Sequence, residues 1–371
     1  MNAYLHIPFC TSICSYCDFT SFAGQETKMS RYVDALCAEI QSSNLEGPLQ
    51  TVYFGGGTPS LLLPEKLELI LKTLHKKAGF AADIEISMEA NPETVDLTRL
   101  QSYRGFGVNR LSFGAQAFQT EILKKLGRGH DWARVEKAFA DARQAGFTNI
   151  NLDLMFGLAG QSFDQFQESV RKVCELRPEH ISMYALQVEE GTPLARQVDE
   201  GLELPSEDQV ADEYAWAQTY LLALGYEQYE VSNFSNPGKA CRHNWNIWRG
   251  EDYWGFGLSA VGTVGNVRHG HGEDLMAYIE KAPQGYESLL EKEVLTEPIR
   301  AWERIMLQFR TQEGVLERDV EAYVRSQGGS SYKERFNRFE KEGFISLIDG
   351  RYRATSKGYF VLNGILETLM V

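Results

Sequence analysis

The chain has no long apolar run and little positive charge. No hydrophobic stretch among its 371 residues approaches eighteen residues, and Met1 leads directly into an apolar strand without a basic region or a small-residue cleavage site. Neither a transmembrane segment nor a secretory signal is therefore expected. Lysine and arginine number 37 against 51 aspartates and glutamates, a formal net charge of −14. This balance argues against a nucleic-acid partner, because a phosphate backbone requires a basic surface.

Cysteine is scarce as well. Six cysteines in a chain of this size do not suggest a disulfide framework, yet Cys10, Cys14 and Cys17 share one short loop with the spacing C-x3-C-x2-C. Such a triplet indicates an iron–sulfur site, in which a four-iron cluster with three thiolates leaves one iron open to a small molecule. A structural zinc completed by a nitrogen such as His6 is the alternative, although zinc motifs usually come as two separated pairs. Because an oxygen-labile cluster needs a reducing compartment, we expect a cytoplasmic protein.

The first 231 residues alternate short, β-rich apolar runs with longer amphipathic helical stretches. The runs are YLHI, TVYF, IEISME, RLSFGA, NINLDLMF and HISMYAL. Strands that alternate with helices pair in parallel through right-handed crossovers. Six such units, where a full barrel has eight, predict an α/β fold with a partial (β/α)6 barrel over residues 1–231.

Unusual polar residues recur where these strands end. They are the cysteine loop, the turn GGGTP at residues 55–59, Glu89, Gln116, Asp153 and Gln187. Active sites of β/α barrels lie at the carboxyl ends of the strands, so we expect one pocket to collect the whole set. The GGGTP turn lets backbone amides approach a ligand, and it is not a phosphate loop because no Gly-Lys-Ser/Thr follows. Glu89 and Asp153 need partners, for which Arg128 and Gln116 are candidates, and structural ion pairs would explain the two carboxylates equally well.

The remainder of the chain divides into two stretches. Residues 232–296 lose the alternation and are rich in Gly, Asn, Trp and His, which predicts an irregular covering segment. Within it, His243 in CRHNWNIW is either a residue packed among aromatics or a ligand. Residues 297–371 show three helical patterns and two alternating runs joined by Asp349-Gly350, which predicts a tight hairpin and a winged-helix-like C-terminal module. The nearly balanced charges of this module disfavour DNA binding.

The cysteine triplet with its flanks HIPFC and YCDF resembles the radical S-adenosylmethionine (SAM) superfamily. Members of that superfamily hold a [4Fe–4S] cluster by such a triplet and chelate SAM at the open iron, and an electron from the cluster cleaves SAM to a 5′-deoxyadenosyl radical. The resemblance implies that Cys10, Cys14 and Cys17 bind the cluster. It also places GGGTP where superfamily members carry a GGE-like motif that contacts the amino group of SAM.

The motifs together are similar to those of the oxygen-independent coproporphyrinogen III oxidase family. YLHIPFCxxxCxYCDF, YFGGGTPS, EANPE, RLSFGAQAF, LGRGH, NLDLMFGLxGQ and HNxxxW follow in the family's order over essentially the whole chain. The oxidases carry an N-terminal arm and a further cysteine at the position of Phe19, and this chain has neither feature, which is the pattern of the HemW-type heme chaperones. HemW-type proteins also carry HNxxYW, associated with heme binding; this chain keeps His243, Asn244 and Trp248 and has Ile247 in place of the tyrosine.

The resemblance implies a set of ligand contacts and a function. The residues that match contacts to a first SAM are Tyr4, Tyr16, Gly56 and Glu89. Those that match contacts to a second SAM in the oxidase are Gly57, Thr58, Gln116, Arg128 and Asp153, and His243 matches the position associated with heme. The resemblance thus implies a heme chaperone that passes heme to an acceptor protein, with a flavodoxin or ferredoxin as a candidate electron donor. The alternative is an oxidase that abstracts hydrogen from the propionate side chains of coproporphyrinogen III and releases CO2.

Overall fold

The computed structural model describes residues 1–328 and 332–369. The strands are β1 (Asn2–Ile7), β2 (Phe9–Cys10), β3 (Phe22–Ala23), β4 (Leu49–Gly56), β5 (Phe80–Ala90), β6 (Arg110–Gln116), β7 (Ile150–Phe156), β8 (His180–Ala185), β9 (Glu227–Glu230), β10 (Asn233–Ser235), β11 (Tyr253–Phe256), β12 (Val261–Val264), β13 (Val267–His271), β14 (Leu290–Val294), β15 (Val315–Leu316), β16 (Ile345–Ile348) and β17 (Arg351–Ala354). The α-helices are α1 (Met29–Ser42), α2 (Pro64–Ala78), α3 (Leu97–Gly105), α4 (Thr120–Lys125), α5 (Trp132–Gln144), α6 (Phe163–Glu175), α7 (Pro193–Asp199), α8 (Glu207–Ala223), α9 (Arg242–Trp248), α10 (Leu275–Lys281), α11 (Glu297–Gln308), α12 (Glu317–Ser326), α13 (Tyr332–Lys341), α14 (Ser356–Tyr359) and α15 (Leu362–Glu367).

Six parallel strands form the centre of a mixed sheet. They lie in the order β1-β4-β5-β6-β7-β8, and each pairs in parallel with the next. Helices α1, α2, α3, α5 and α6 lie in the connections between successive strands, as parallel pairing requires. Apolar residues of all six strands belong to one buried core with these helices. The predicted α/β fold with a partial (β/α)6 arrangement is therefore confirmed.

Further strands extend this sheet at both edges. On one side β10 and β9 add to β8 in antiparallel pairs, and on the other β11 lies parallel to β1 and is followed by β12, β13 and β14. The irregular segment predicted over residues 232–296 is therefore wrong: this stretch forms five strands and the helices α9 and α10. Its glycines serve close strand packing, since a Cβ at Gly255 would overlap the Val261 carbonyl. The domain boundaries at 231/232 and 296/297 stay predictions.

The central sheet must curve. The cysteine loop is hydrogen-bonded to the end of α4, which follows β6, and to the first turn of α7, which follows β8: the Ser15 amide donates to the Leu126 carbonyl (3.1 Å), and the Leu194 amide donates to the Ser15 carbonyl (2.7 Å). In a flat sheet five strand spacings would separate β1 from β8 by about 24 Å. The curvature closes the carboxyl ends of the six strands around one cavity.

The C-terminal module has a core of its own. Helices α11, α12 and α13 precede the hairpin β16–β17, and β15 pairs with β17 to make a three-stranded sheet. Asp349 and Gly350 have φ values of 52° and 70°, the left-handed pair that a two-residue hairpin turn needs. The predicted hairpin and winged-helix-like module are confirmed within the described residues, which leave out 329–331 and 370–371. None of the helices in this described part of the chain has the length and apolar character to span a bilayer.

Candidate functional site

A cavity of about 390 Å³ lies at the carboxyl ends of the six parallel strands. It is lined by residues that follow or end every one of these strands, as expected for a β/α barrel. All predicted site residues except Tyr4 and His243 line it, namely Cys10, Cys14, Cys17, Tyr16, Gly56, Gly57, Thr58, Glu89, Gln116, Arg128 and Asp153. The single pocket expected from the strand ends is therefore present.

The three thiols line one part of this cavity. Cys10 is buried at the end of β2, whereas Cys14 and Cys17 are half-buried. The Cys17 amide donates to the Cys14 carbonyl (3.3 Å), and the Thr58 hydroxyl donates to Cys10 Sγ (3.5 Å). Burial raises the pKa of the Cys10 and Cys17 thiols, so both are neutral until a metal displaces their protons.

The glycines after β4 allow the backbone to approach the cysteine loop. A Cβ at Gly57 would lie 2.8 Å from the Phe9 carbonyl oxygen and 3.0 Å from Cys10 Sγ. Gly56 has a φ of +110°, and a Cβ there would lie 2.6 Å from the His6 ring. A side chain at Gly57 would push the turn away from the thiols, and one at Gly56 would collide with the His6 ring, so glycine is required at both positions.

Four carboxylates line the cavity, and two of them, Glu89 and Asp153, belong to the central strands. Glu89 Oε1 accepts a hydrogen bond from the Tyr53 hydroxyl (2.8 Å), and Oε2 accepts one from the Gly56 amide (3.3 Å). Desolvation outweighs these bonds and raises the pKa of Glu89 to about 7. Asp153 accepts hydrogen bonds from Asn151 Nδ2 (2.7 Å) and the Ser112 hydroxyl (3.2 Å), and burial raises its pKa as well.

The proposed partners of these carboxylates lie elsewhere in the cavity wall. Arg128 donates to the Tyr16 hydroxyl (2.8 Å) instead of forming an ion pair, and its Nε has no hydrogen-bond partner among the described residues. Gln116 has a φ of 62°, a left-handed conformation that is strained for glutamine and recurs at functional sites. A Cβ on Gly114 would lie only 2.8 Å from Gln116 Nε2, so glycine at position 114 leaves room for this side chain. Both side chains are thus available to a ligand rather than committed to Glu89 or Asp153.

Tyr4 and His243 lie below the cavity wall. The Tyr4 ring stacks on Tyr53 at a centroid distance of 6.2 Å, and its hydroxyl hydrogen-bonds His6 Nδ1 (3.2 Å). His243 is 2% exposed, and its ring also stacks on Tyr53, with the ring centroids 5.1 Å apart. An axial bond from its ring to heme would require α9 to move away from the sheet, and the assignment of His243 to heme stays a prediction.

Several lining residues were not singled out from the sequence. They are Tyr53, Ser112, Met155 and Tyr184, together with residues of the loops. Alternate residues of a barrel strand face the same side, and Ser112 and Met155 are an even number of positions from Gln116 and Asp153. Continuing the period of two along these strands would therefore have found Ser112 and Met155.

Comparisons with known proteins agree with this geometry. Residues 4–173 match the family model of the Radical SAM superfamily, and residues 295–361 match that of the HemN C-terminal domain. The chain is 37% identical to the heme chaperone HemW of Bacillus subtilis (strain 168), over 100% of this chain and 99% of the relative. It is 33% identical to the heme chaperone HemW of Escherichia coli (strain K12), over 100% and 98%.

A solved structure shares the fold. Coproporphyrinogen III oxidase (HemN) from Escherichia coli, a radical SAM enzyme, superposes with a TM-score of 0.86 over 99% of this chain and 89% of that chain. At 23% identity this similarity shows the fold alone. Full-length identity above 30% to several relatives identifies a narrower group. The chain belongs to the HemW family within the radical SAM superfamily.

Proposed function

We propose that the protein binds heme and transfers it to an acceptor protein, and that Cys10, Cys14 and Cys17 hold a [4Fe–4S] cluster with SAM at its open iron. The observation that carries the proposal is the combination of a full-length match to heme chaperones with a complete thiol-lined cavity. Phe19 supports the heme-chaperone hypothesis over the oxidase. Its side chain is 64% exposed at the cavity rim, where the resemblance places a cysteine in the oxidases.

The residues around the cavity fit these groups. Three thiols on one loop supply three ligands, and the glycine turn after β4 leaves the space beside Cys10 that a Cβ would fill. Ionised Glu89 would accept hydrogen bonds from the cationic amino group of SAM, and the Arg128 guanidinium in the cavity wall would attract an anionic group. When bound, the cluster would supply one-electron chemistry at this site. A reduced electron donor such as a flavodoxin or ferredoxin would then be a partner.

An oxidase acting on coproporphyrinogen III is the second candidate. Its support is the retention of Gln116, Arg128 and Asp153 in the cavity, the positions that the resemblance assigns to a second SAM. Oxidative decarboxylation needs radical chemistry from SAM, whereas heme carriage does not. Phe19 at the rim argues against it.

Heme titration of the cluster-loaded protein under anaerobic conditions separates the two. We expect one heme per chain by Soret absorbance, and no CO2 when coproporphyrinogen III and SAM are supplied. The Cys14→Ala variant is the matched control for the cluster, since loss of one of three thiolates should abolish the brown absorbance. Release of CO2 without heme uptake would establish the oxidase instead, and an unchanged spectrum in Cys14→Ala would remove the thiols from the site.

A further inference from the structure

Helix α9 covers the end of the partial barrel opposite the cavity. Asn2, Thr51 and Glu85 lie side by side in the register of β1, β4 and β5, and all three contact this helix or its first residues. Glu85 Oε1 accepts a hydrogen bond from the His243 amide (3.1 Å), which satisfies an amide of the first turn. Asn246 Nδ2 donates to Asn2 Oδ1 (2.9 Å). These bonds fix the helix to the layer of the barrel interior that contains Asn2, Thr51 and Glu85. On β5, Glu85 of this layer precedes the cavity residue Glu89 by four positions.

One side-chain connection runs from α9 to Glu89. The His243 ring stacks on Tyr53 with an interplanar angle of 23°, and the Tyr53 hydroxyl donates to Glu89 Oε1 (2.8 Å). Along β4, Tyr53 lies between Thr51 and the glycine turn. Its ring is thus held between the helix and the carboxylate.

The His243 ring has a fixed orientation. Its Nδ1 is 2.8 Å from Thr51 Oγ1. The Thr51 hydroxyl donates its proton to Asn2 Oδ1 (2.9 Å), so it can only accept from the imidazole. Burial lowers the pKa of His243 to about 3, which keeps the ring neutral with its proton on Nδ1. A single tautomer in a single orientation gives Tyr53 a rigid stacking surface.

A second, separate connection runs from α9 to Asp153. Trp245 packs against Tyr229 with ring centroids 5.0 Å apart. The Tyr229 hydroxyl is 2.8 Å from His180 Nε2, and His180 Nδ1 is 2.6 Å from Asn151 Oδ1. Asn151 Nδ2 then donates to Asp153 Oδ1 (2.7 Å).

Every hydrogen bond from Tyr229 through His180 and Asn151 to Asp153 is donated in the direction of the carboxylate. Asn151 Nδ2 donates to both Asp153 and Ser112, so its Oδ1 faces His180 and must accept from Nδ1–H. The other ring nitrogen of His180 then accepts from the Tyr229 hydroxyl. Donors aligned in one direction polarise one another and favour the ionised form of the terminal acceptor.

We propose that α9 is a positioning element for the cavity, holding Glu89 through Tyr53 and holding Asp153 through the Tyr229–His180–Asn151 chain. The segment CRHNWNIW thereby acts on SAM binding from the far end of the barrel. This inference rests on the proposed function, because it takes SAM as the ligand of the two carboxylates.

The test compares two tyrosines that lie three residues apart. Tyr229→Phe removes the hydroxyl at the start of the chain and keeps the ring against Trp245. Tyr226→Phe removes the hydroxyl of another buried tyrosine. Among the described residues that hydroxyl donates to the Pro178 carbonyl (2.8 Å) and takes no part in the Tyr229–His180–Asn151 chain. SAM affinity of the cluster-loaded proteins is measured by equilibrium dialysis under anaerobic conditions. We expect Tyr229→Phe to weaken SAM binding on the order of threefold to tenfold and Tyr226→Phe to leave it unchanged.

A double-mutant cycle tests whether the effect reaches Asp153. In an Asp153→Asn background, Tyr229→Phe should cause no further loss of SAM affinity, because the carboxylate that the chain orients is gone. The same cycle with His243→Ala and Glu89→Gln tests the other connection. Equal affinities of Tyr229→Phe and Tyr226→Phe, or full additivity in both cycles, would overturn the positioning role while leaving the proposed function intact. Wild-type protein that binds no SAM would overturn both.

Discussion

Glu89 has an unusual environment for a carboxylate. It lines an open cavity, yet protein surrounds it closely enough that desolvation dominates its titration and raises its pKa to about 7. The bonds from Tyr53 and the Gly56 amide favour the ionised form but do not compensate. The residue is therefore half ionised near neutral pH, and a cationic ligand would shift it to the charged form.

SAM affinity should depend on this ionisation. Between pH 6 and 7.5 the fraction of ionised Glu89 rises, so we expect the affinity of the wild-type protein for SAM to rise with pH. Glu89→Gln should bind SAM at least about tenfold more weakly at pH 7.5, since a charged hydrogen bond is lost, and should lose most of this pH dependence. Equilibrium dialysis at several pH values measures both effects. Glu46→Gln, on an exposed surface position, is the control, and a flat wild-type profile would contradict the role of Glu89.

The turn after β4 controls how closely two elements approach. Gly57→Ala would place a Cβ 2.8 Å from the Phe9 carbonyl oxygen and 3.0 Å from Cys10 Sγ, and relieving either contact would displace the thiol that we propose binds the cluster. We expect Gly57→Ala to reduce iron content and the cluster absorbance by more than half, read after anaerobic reconstitution. Gly105→Ala, where no described residue outside the glycine's own helix comes within 4 Å of the added Cβ, should load normally. Equal iron content in the two variants would show that the turn tolerates a side chain.

Strand ends could be predicted from the sequence because the pattern of each β/α unit is local. Once six parallel strands were expected, the placement of the cysteine loop, Glu89 and Asp153 at one rim followed from topology. The polar partners of Asp153 could not be found that way. Ser112 reaches Asp153 from the neighbouring strand, and only the register between strands fixes that pair. Asn151 lies two residues earlier on the same strand, so the period of two puts it on the same face, but its hydrogen bond does not follow from the strand ends.

The stretch that follows β10 shows the limit of periodicity. Its strands are four or five residues long, too short to establish an alternation. Glycines that usually mark loops here permit close contact, as at Gly255. The burial of His243 was also inaccessible from the sequence, because it depends on α9 reaching Thr51 and Glu85, residues more than 150 positions away.

At the scale of the whole molecule, the C-terminal module is joined to the sheet by backbone as well as side chains. The Val231 amide donates to the Arg310 carbonyl (3.0 Å), and the Gln312 amide donates to the Tyr229 carbonyl (3.0 Å). Arg249, which directly follows α9, forms an ion pair with Glu313 at the same junction. The residue between these backbone bonds, Glu230, is fully buried.

Glu230 makes this junction sensitive to pH. Its Oε1 accepts hydrogen bonds from the Ser232 amide (3.1 Å) and the Asn233 side chain, and its Oε2 has no partner among the described residues. Burial raises the pKa of Glu230 from 4.5 to about 7. The folded chain thus keeps a proton that the unfolded chain releases between these pH values, so the contribution of Glu230 to stability falls as pH rises from 4.5 to 7.

Glu230→Gln should remove the loss of stability that Glu230 causes as pH rises. Relative to wild type, we expect the variant to gain on the order of 2–3 kcal/mol in free energy of unfolding between pH 5 and pH 8, because a neutral amide has no charge to desolvate. Urea unfolding of cluster-loaded protein at the two pH values measures the difference. Glu227→Gln, an exposed position in the same strand, should change neither value. If both variants followed the wild-type pH dependence, Glu230 would already be ionised in the folded protein, and a cation such as Arg310 would have to compensate its charge at the junction.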